Sequence, residues 1–461
     1  MANITRYIIL GIITIIRRMW ALKLSEIDLQ PLAQKYAQGR GLIWLDSSSE
    51  SLRFDRYSYL CIDPIESIPA SVKMRDLRRV LNFYRPGRID YGPPFQGGLV
   101  GFFDYEFSEY DIQAAEVSCQ HDQTGCHFRL YDTVIAVDHS DNLTWIISSG
   151  FKKGSVEPDK DIAQARIKAV ELDLQNVPEF VTPATNLIWN NEITKAEYLK
   201  SVHDIRGFIQ AGDIYQANFS QTFIADLPED INPFQVYLSI RKSNPAPFSA
   251  YADFNGRNIA CTSPERLITV DARGWVETRP IKGTIARSRH PDVDQQRRDR
   301  LRESKKDRAE NIMIVDLLRN DLSQVCRPHS VNVLDLCVLE SYAGLHQLTS
   351  SVQGQLIDGY DAFDLMSAVF PGGSITGAPK RRSMEIIKLL EQRPRRAFCG
   401  SLGFFGFHGI ADFNIIIRTI QVEGNQARLD VGSGITSLSD PEEEYLETLL
   451  KAQKIFDGTT N

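Results

Sequence analysis

Lys282 stands in the run Arg279-Pro280-Ile281-Lys282-Gly283-Thr284, directly after a strand-like stretch, Trp275-Val276-Glu277-Thr278. A lysine amine becomes a nucleophile once its ammonium gives up a proton, and a shielded pocket or a cationic neighbour promotes that loss. Pro280 fixes one backbone angle, and Gly283 is expected to let the chain pass close to a ligand. An isolated P-x-K-G is ordinarily a solvated turn; what lies downstream sets this one apart. Asp440-Pro441 opens a helix, with Asp as N-cap and Pro at the first helical position. Glu442, Glu443, Glu444 and Glu447 follow. The helix dipole alone accounts for Glu442 and Glu443. Glu444 and Glu447 share a face, and Glu447 lies beyond the first turn. Like charges on one face repel unless water or a cation intervenes. Together with Glu310 from another helix, Glu447 makes a candidate site for Mg²⁺, which takes few carboxylates and keeps several waters; Glu444 is counted with them.

The run Pro371-Gly372-Gly373-Ser374-Ile375-Thr376-Gly377-Ala378-Pro379-Lys380 precedes a helix. Glycines, the Ser374 and Thr376 hydroxyls and a helix N-terminus together favour an anion. It is not a P-loop: Ala378-Pro379 separate Gly377 from Lys380, and Arg381 replaces the Ser/Thr. That disfavours a nucleotide and leaves a carboxylate site open. Val431-Gly432-Ser433-Gly434-Ile435-Thr436 reads as a second glycine loop just before the acidic helix. Arg418 lies amid apolar neighbours in a stretch, 415–419, read as a strand. Such an arginine usually has a carboxylate partner, either an internal Asp or Glu or a ligand, and both readings stay open. The sum suits a small polyanionic acid whose charge is met partly by Mg²⁺.

These residues need elements to hold them. Thr194 with Glu197 forms a capping box; Ile205, Phe208 and Ile209 keep helical spacing to Ala211, and Gly212 stops the helix. Residues 215–224 alternate like a strand, with Gln216, Asn218, Ser220 and Thr222 on one face. That face is a solvated surface on ordinary expectation and a pocket wall on the functional one. Residues 302–322 read as one long helix with Glu310 in its middle. Further on, strands (404–407, 413–420, 427–431) alternate with helices (380–390, 441–456). Upstream, 41–45 and 133–137 are strand-like, and 97–103 looks like a buried strand with close backbone neighbours. Residues 150–190 are polar, with a helix near 162–174, and form the best boundary between an N-terminal region, 20–180, and a catalytic region, 190–461. The order lacks a βαβ rhythm and short repeats, which points to an α+β fold with antiparallel sheets.

A chain of 461 residues buries a large core. Its formal net charge of −7 gives no hint of a nucleic-acid partner. The seven cysteines (Cys61, Cys119, Cys126, Cys261, Cys326, Cys337, Cys399) form no C-x-x-C pair. Zinc and a disulfide framework are therefore not expected, and a reducing cytoplasm is. Residues 8–16 are apolar and flanked by arginines, but reach only about half a bilayer span and lack a small-x-small cleavage site. No membrane partner is expected. Residues 1–19 read as an atypical leader, or as sequence ahead of a true start at Met19.

R-P-I-K-G-T, R-A-E-N-I-M-I-V-D-L-L-R-N-D-L, P-G-G-S-I-T-G-A-P-K, I-R-T and G-S-G-I-T-S-L-S-D-P-E-E-E-Y-L-E-T together resemble the chorismate-utilising enzymes, and within them the aminodeoxychorismate branch. The likeness runs from Gly212 to Thr448 and extends weakly back to about residue 40. It implies an anthranilate-synthase-like fold of antiparallel sheets packed face to face, with surrounding helices. It implies that Glu310 and Glu447 hold Mg²⁺ on the ring carboxylate of chorismate, and that Arg418 and Gly432, Ser433 and Gly434 contact substrate carboxylates. Gln216, Thr284, Ser374, Thr376 and Lys451 complete the substrate-binding set. Glu265, in Thr262-Ser263-Pro264-Glu265-Arg266, matches the general acid for the departing hydroxyl. Lys282 is then the nucleophile at C2, after which ammonia attacks C4 and expels it. Anthranilate synthases typically carry alanine at the Lys282 position, and isochorismate and salicylate synthases a lysine base at that of Gln216; a neutral glutamine suits an ammonia user. The sequence has no cysteine nucleophile elbow, so the resemblance implies a separate glutamine amidotransferase subunit.

Two departures stand out. Relatives often have V-x-H-L-x-S where this chain has Leu345-His346-Gln347-Leu348-Thr349-Ser350, so Gln347 takes the histidine place. A shift of one residue in a strand points His346 to the opposite face; the expectation is that the lysine route proceeds without that contact. The family's N-terminal half often holds a tryptophan pocket. Ser47, Phe54, Asp55, Arg56, Tyr57, Pro247, Phe248 and Ser249 match its positions loosely, but Asp46-Ser47-Ser48-Ser49 lacks the leucine-rich context of feedback-inhibited enzymes. Weak or no inhibition is expected.

Overall fold

The stretch Gly-Leu-Val-Gly-Phe-Phe carries no polar side chain, a pattern that suits a strand covered on both faces. The computed structural model builds it that way: in the strand Gly98–Phe103, Leu99 and Phe103 enter one core cluster while Val100 and Phe102 enter another. The two clusters lie on opposite sides of a sheet, as the period of two requires.

The structure describes residues 13–16, 19–37, 39–49, 56–107, 125–177, 180, 185–254, 256–341 and 344–460. Among them, every named strand pair is antiparallel. One sheet runs Ile13–Ile16, Met19–Ser25, Leu143–Ser148, Thr133–Asp138, Tyr57–Cys61, Ile43–Asp46, Phe248–Phe254, Arg257–Ser263, Thr419–Glu423, Gln426–Ile435, Gln216–Asp226, Asn190–Asn191, with Gly377–Ala378 also on Gln216–Asp226. The other runs Ile281–Ala286, Leu345–Gln355, Trp275–Thr278, Arg266–Val270, Ala411–Asn414, Ser401–Gly406, Gly98–Phe103, Cys126–Tyr131, Glu66–Ser67, with Asn332–Ser341 on Leu345–Gln355. The expected α+β class with antiparallel sheets is what forms. Strands from both sides of the 150–190 stretch share each sheet: Ile43–Asp46 pairs with Phe248–Phe254, and Gly98–Phe103 with Ser401–Gly406.

The sheets pack face to face. Ile43, Tyr59, Val134 and Ile259 of the first meet Val100, Phe102 and Leu402 of the second in one apolar cluster. Helices cover the outer faces. Gln30–Tyr36, Pro233–Ser243 and Pro441–Thr459 bury apolar residues against the first sheet, and Met74–Phe83 and Ala362–Val369 against the second. The described cysteines are all free and buried; Cys119 lies outside the described residues. Among those residues no helix is long and apolar enough to cross a membrane.

Most elements lie where periodicity placed them. Lys195–Gln210 has the Thr194–Glu197 capping box, and Gly212 follows at φ +83°. Residues 302–322, expected as one helix, are the end of one and most of another. Pro291–Glu303 stops, and Lys305–Ser323 starts with Ser304 as its cap, Oγ accepting from the Asp307 N–H at 3.3 Å. A local side-chain acceptor offered the backbone a new start, which apolar periodicity does not register.

Candidate active site

Lys282 lies on the strand Ile281–Ala286, where the register against Leu345–Gln355 shifts between Ile281 and Thr284. Gly283 sits in this irregularity at φ +79°, and a Cβ there would come within 2.8 Å of Asp307 Cγ. A close neighbour that demands a glycine is thus the helix Lys305–Ser323. Half-buried Lys282 donates from Nζ to the Ser374 carbonyl at 3.0 Å, and Ser374 Oγ donates to Glu265 Oε1 at 2.8 Å. One residue therefore joins the amine to the carboxyl. Glu265 is only 5% exposed. Burial pushes its carboxyl above the usual carboxylate range, against the opposing pull of Ser374 and the Lys282 charge.

The acidic residues gather with lysines. Glu310 is one helical turn after Lys306, whose Nζ donates to Glu444 Oε1 at 2.8 Å. Ser439 Oγ donates to the same oxygen at 2.6 Å. Glu444 Oε2 and Glu310 Oε1 are buried with no hydrogen-bond partner among the described residues. Glu447 pairs with Lys451 at 2.7 Å, and Lys451 also donates to the Gly432 carbonyl at 2.9 Å. Burial raises the Glu310 carboxyl, although Lys282 and Lys306 pull it down; Lys451 holds Glu447 below its ordinary value. Among the described residues no three His, Cys, Asp or Glu side chains form a ready-made metal cluster. Mg²⁺ needs only one or two carboxylates, and two orphaned buried carboxylate oxygens are hard donors of the right kind. The orphaned oxygens, on Glu310 and Glu444, fit that ion, while Glu447, the other expected ligand, is tied to Lys451.

The second glycine segment is not a loop. Gly432, Ser433 and Gly434 belong to the strand Gln426–Ile435, opposite Ser220, Phe219 and Asn218 of Gln216–Asp226. A Cβ on Gly432 would meet Asn218 Oδ1 at 2.7 Å, and one on Gly434 would meet Gln216 Nε2 at 3.0 Å. The glycines present bare backbone toward these two amides, and close packing rather than a turn selects them. Ser433, one residue out of phase, faces the other way and shares a 3.1 Å hydrogen bond with the Tyr198 hydroxyl. The polar face of Gln216–Asp226, read as either a solvated surface or a pocket wall, is buried. Ser220 donates to Glu391 at 2.7 Å and Thr222 to Asp430 at 2.6 Å. Gln216 Oε1 and Nε2 and Asn218 Oδ1 have no partner among the described residues. Each unmade bond costs about 1–3 kcal/mol, so these amides fit a wall that receives a polar ligand.

In the first glycine segment, Thr376 Oγ1 donates to the Gly372 carbonyl at 3.0 Å. Lys380 is committed within the protein, donating to the Asp321 carboxylate and the Val369 carbonyl at 2.8 and 2.9 Å. Arg418 is not in a strand. It lies between Ala411–Asn414 of one sheet and Thr419–Glu423 of the other, at φ +53°, its carbonyl accepting from Thr262 N–H and Oγ1 at 3.1 and 2.9 Å. Its guanidinium makes no hydrogen bond or ion pair among the described residues, although it feels the Glu447 charge. Burial lowers its pKa. Arg418 lines a cleft of about 970 Å³ with Thr262, Pro264, Ile281, Gln347 and Thr349. Glu265 and Lys282 follow directly on two of these. Thr284 stands opposite Gln347 in the register and is exposed. Gln347 faces the cleft, while buried His346 turns to Ser341 and Asp294 at 2.7 and 3.1 Å.

A second cavity, of about 540 Å³, is lined by Ser47, Arg56, Tyr57, Pro247, Phe248 and Ser249. Phe54 and Asp55 lie outside the described residues. Pro247, Phe248 and Arg266 line both cavities. Sequence reasoning missed Lys306 and Tyr198, and it put Asn218 on the polar strand face without assigning it to the site. Lys306 was within reach, since it precedes Glu310 by one turn on the same face; Tyr198 becomes visible only through its cross-chain bond to Ser433.

Residues 43–457 match the chorismate binding enzyme family. Aminodeoxychorismate synthase component 1 of Bacillus subtilis (strain 168) is 35% identical over 426 residues, covering 87% of this chain and 89% of the relative. A chloroplastic protein of Oryza sativa subsp. japonica named "Probable aminodeoxychorismate synthase" is 34% identical over 470 residues; the match covers 89% of this chain and about half, 52%, of that longer protein. Anthranilate synthase component I from Streptococcus pneumoniae TIGR4 superposes with a TM-score of 0.73 at 25% identity, covering 96% of this chain and 93% of that one. With the family matched from the third strand to the last helix, this chain belongs to the chorismate binding enzymes.

Proposed function

We propose that the chain aminates chorismate at C4, giving 4-amino-4-deoxychorismate on the route to 4-aminobenzoate and folate. Ammonia would come from a separate glutamine amidotransferase subunit in a cytoplasmic heterodimer. The observation that carries the reading is the chain Lys282 Nζ–Ser374–Glu265, an amine and a protonatable carboxyl bridged by one residue at 3.0 and 2.8 Å. The Lys282 amine attacks C2, the ring double bonds shift, and the C4–O bond breaks as Glu265 gives its proton to the departing hydroxyl, which leaves as water. Ammonia then attacks C4, the double bonds shift back, and the C2–N bond breaks with its electron pair returning to Lys282. Two displacements replace one hard step. Burial raises the Glu265 carboxyl, which favours the protonated form that the first of them needs.

Arg418 and the bare backbone at Gly432 and Gly434 receive carboxylate, and Gln216 offers a neutral amide beside them. Glu310 and Glu447 would hold Mg²⁺, with Glu444 adjacent. When bound, the ion supplies positive charge for the ring carboxylate. The names of the Bacillus and Oryza relatives support the aminating branch, and "component 1" supports a second component. The test is incubation with chorismate, Mg²⁺ and ammonium, followed by the lyase that removes pyruvate. The expected product is 4-aminobenzoate. Fluorescent anthranilate would move the amination to C2, and no product would overturn the reading.

A further inference from the structure

The cleft of about 970 Å³ has five cationic residues in its wall, Arg266, Arg279, Arg287, Arg418 and Lys454, against a single carboxylate, Glu340. Three of the cations are neutralised. Arg266 pairs with Asp412 at 2.9 Å, Arg279 with Glu340 at 2.8 Å, and Arg287 with Asp294 at 3.0 Å. The other two, Arg418 and Lys454, make no hydrogen bond or ion pair from their side chains among the described residues. They lie close enough to repel: the Lys454 ammonium is held below its ordinary value by desolvation and by the Arg418 charge. Two like charges sharing one cleft wall destabilise each other unless an anion lies between them.

The acidic helix explains how Lys454 comes to be there. Glu447, Lys451 and Lys454 recur at i, i+4 and i+7 on Pro441–Thr459, one stripe of an α-helix. Glu447 and Lys451 pair with each other, and Lys454 continues their stripe to the cleft wall. Its Nζ stands 4.0 Å from where a Gly344 Cβ would be, and Gly344 also lines the cleft. Chorismate carries two carboxylates. The ring carboxylate belongs with the carboxylate-held ion, which leaves the enolpyruvyl carboxylate for the unpaired cations.

We propose that Lys454 is a substrate-binding residue, a second cation that works with Arg418 to hold the enolpyruvyl carboxylate of chorismate at the mouth of the cleft. This rests on the chorismate reading above. Lys454 is exposed and its side chain makes no hydrogen bond or ion pair among the described residues, so its replacement is expected to leave the fold intact. The test is the chorismate affinity of the Lys282→Ala protein, in which no adduct forms, with and without K454M, K454E or K454R, measured by calorimetry with Mg²⁺, together with KM and kcat of the same Lys454 variants in the protein that keeps Lys282.

K454M is expected to weaken chorismate binding and raise its KM about five-fold, the equivalent of roughly 1 kcal/mol, with kcat and the KM for ammonium unchanged. K454E weakens binding further, and K454R restores it. The KM of K454M also responds less to added salt, because one attractive charge is gone. Unchanged affinity in both K454M and K454E overturns the proposal, as does a fall in kcat with unchanged KM. A wild-type protein that binds chorismate but forms no 4-amino product would defeat the amination reading alone, and the calorimetric comparison would still judge Lys454.

Discussion

At the scale of single residues, the account turns on a carboxyl whose burial favours its protonated form and an amine held beside it. Glu265 is buried and its carboxyl is pushed up. An acid that must donate works only while protonated, so the rate of the first displacement falls as pH rises through the raised Glu265 pKa. Glu265→Gln keeps the hydrogen bond from Ser374 but has no proton to give. We expect it to lower kcat by about a hundred- to ten-thousand-fold and to abolish the alkaline limb of the pH–rate profile. An unchanged limb in that variant would assign it to another group. The types of these residues were legible in sequence; their mutual connection was not. Lys282 and Glu265 are brought together by Ser374, a residue from a distant segment whose carbonyl and hydroxyl face opposite partners. Arg418 shows the same limit. An arginine among isoleucines signals a carboxylate partner, but only the fold shows that none of the described residues bonds to its guanidinium.

At the scale of elements, the site depends on where chains start, stop and cross. Ser304 separates two helices that apolar periodicity joins into one, and the second carries Lys306 and Glu310. Ser304→Ala removes the cap that receives the Asp307 N–H and is expected to lower stability by about 1 kcal/mol, read as a reduced midpoint in urea with an unchanged slope. No change in midpoint would mean that tertiary packing alone sets this helix start. Gly432 to Gly434 teaches the complementary lesson. Glycine in sequence reads as a loop, yet here it marks two strand positions where a Cβ would strike Asn218 and Gln216. The difference lies in cross-strand register, which a single segment does not contain. Helices with paired signals at their ends, such as Lys195–Gln210, were read nearly to the residue because cap and stop are local.

At the scale of the whole molecule, two sheets woven from both halves of the chain place the candidate site and a second cavity on either side of a shared wall, Pro247, Phe248 and Arg266. The antiparallel class followed from the missing βαβ rhythm, whereas the pairing of Ile43–Asp46 with Phe248–Phe254 lies far beyond any local signal. Several polar groups lining the second cavity are already committed. Asp46 accepts from Tyr237 and Arg241 at 2.7 and 2.5 Å, Ser47 donates to the Tyr57 carbonyl at 2.7 Å, and Arg56 pairs with Asp138 at 2.8 Å. We therefore expect micromolar tryptophan to leave the rate of chorismate turnover essentially unchanged; strong inhibition in a dose–response assay would contradict this.

The most direct test of the central claim is mass spectrometry of the protein quenched during turnover with chorismate and Mg²⁺, with ammonium withheld. The account predicts a covalent adduct of chorismate less one water on the peptide containing Lys282, absent in Lys282→Ala, which also forms no 4-amino product at a comparable rate. An unmodified Lys282 peptide, with Lys282→Ala turning over at the wild-type rate, would contradict it.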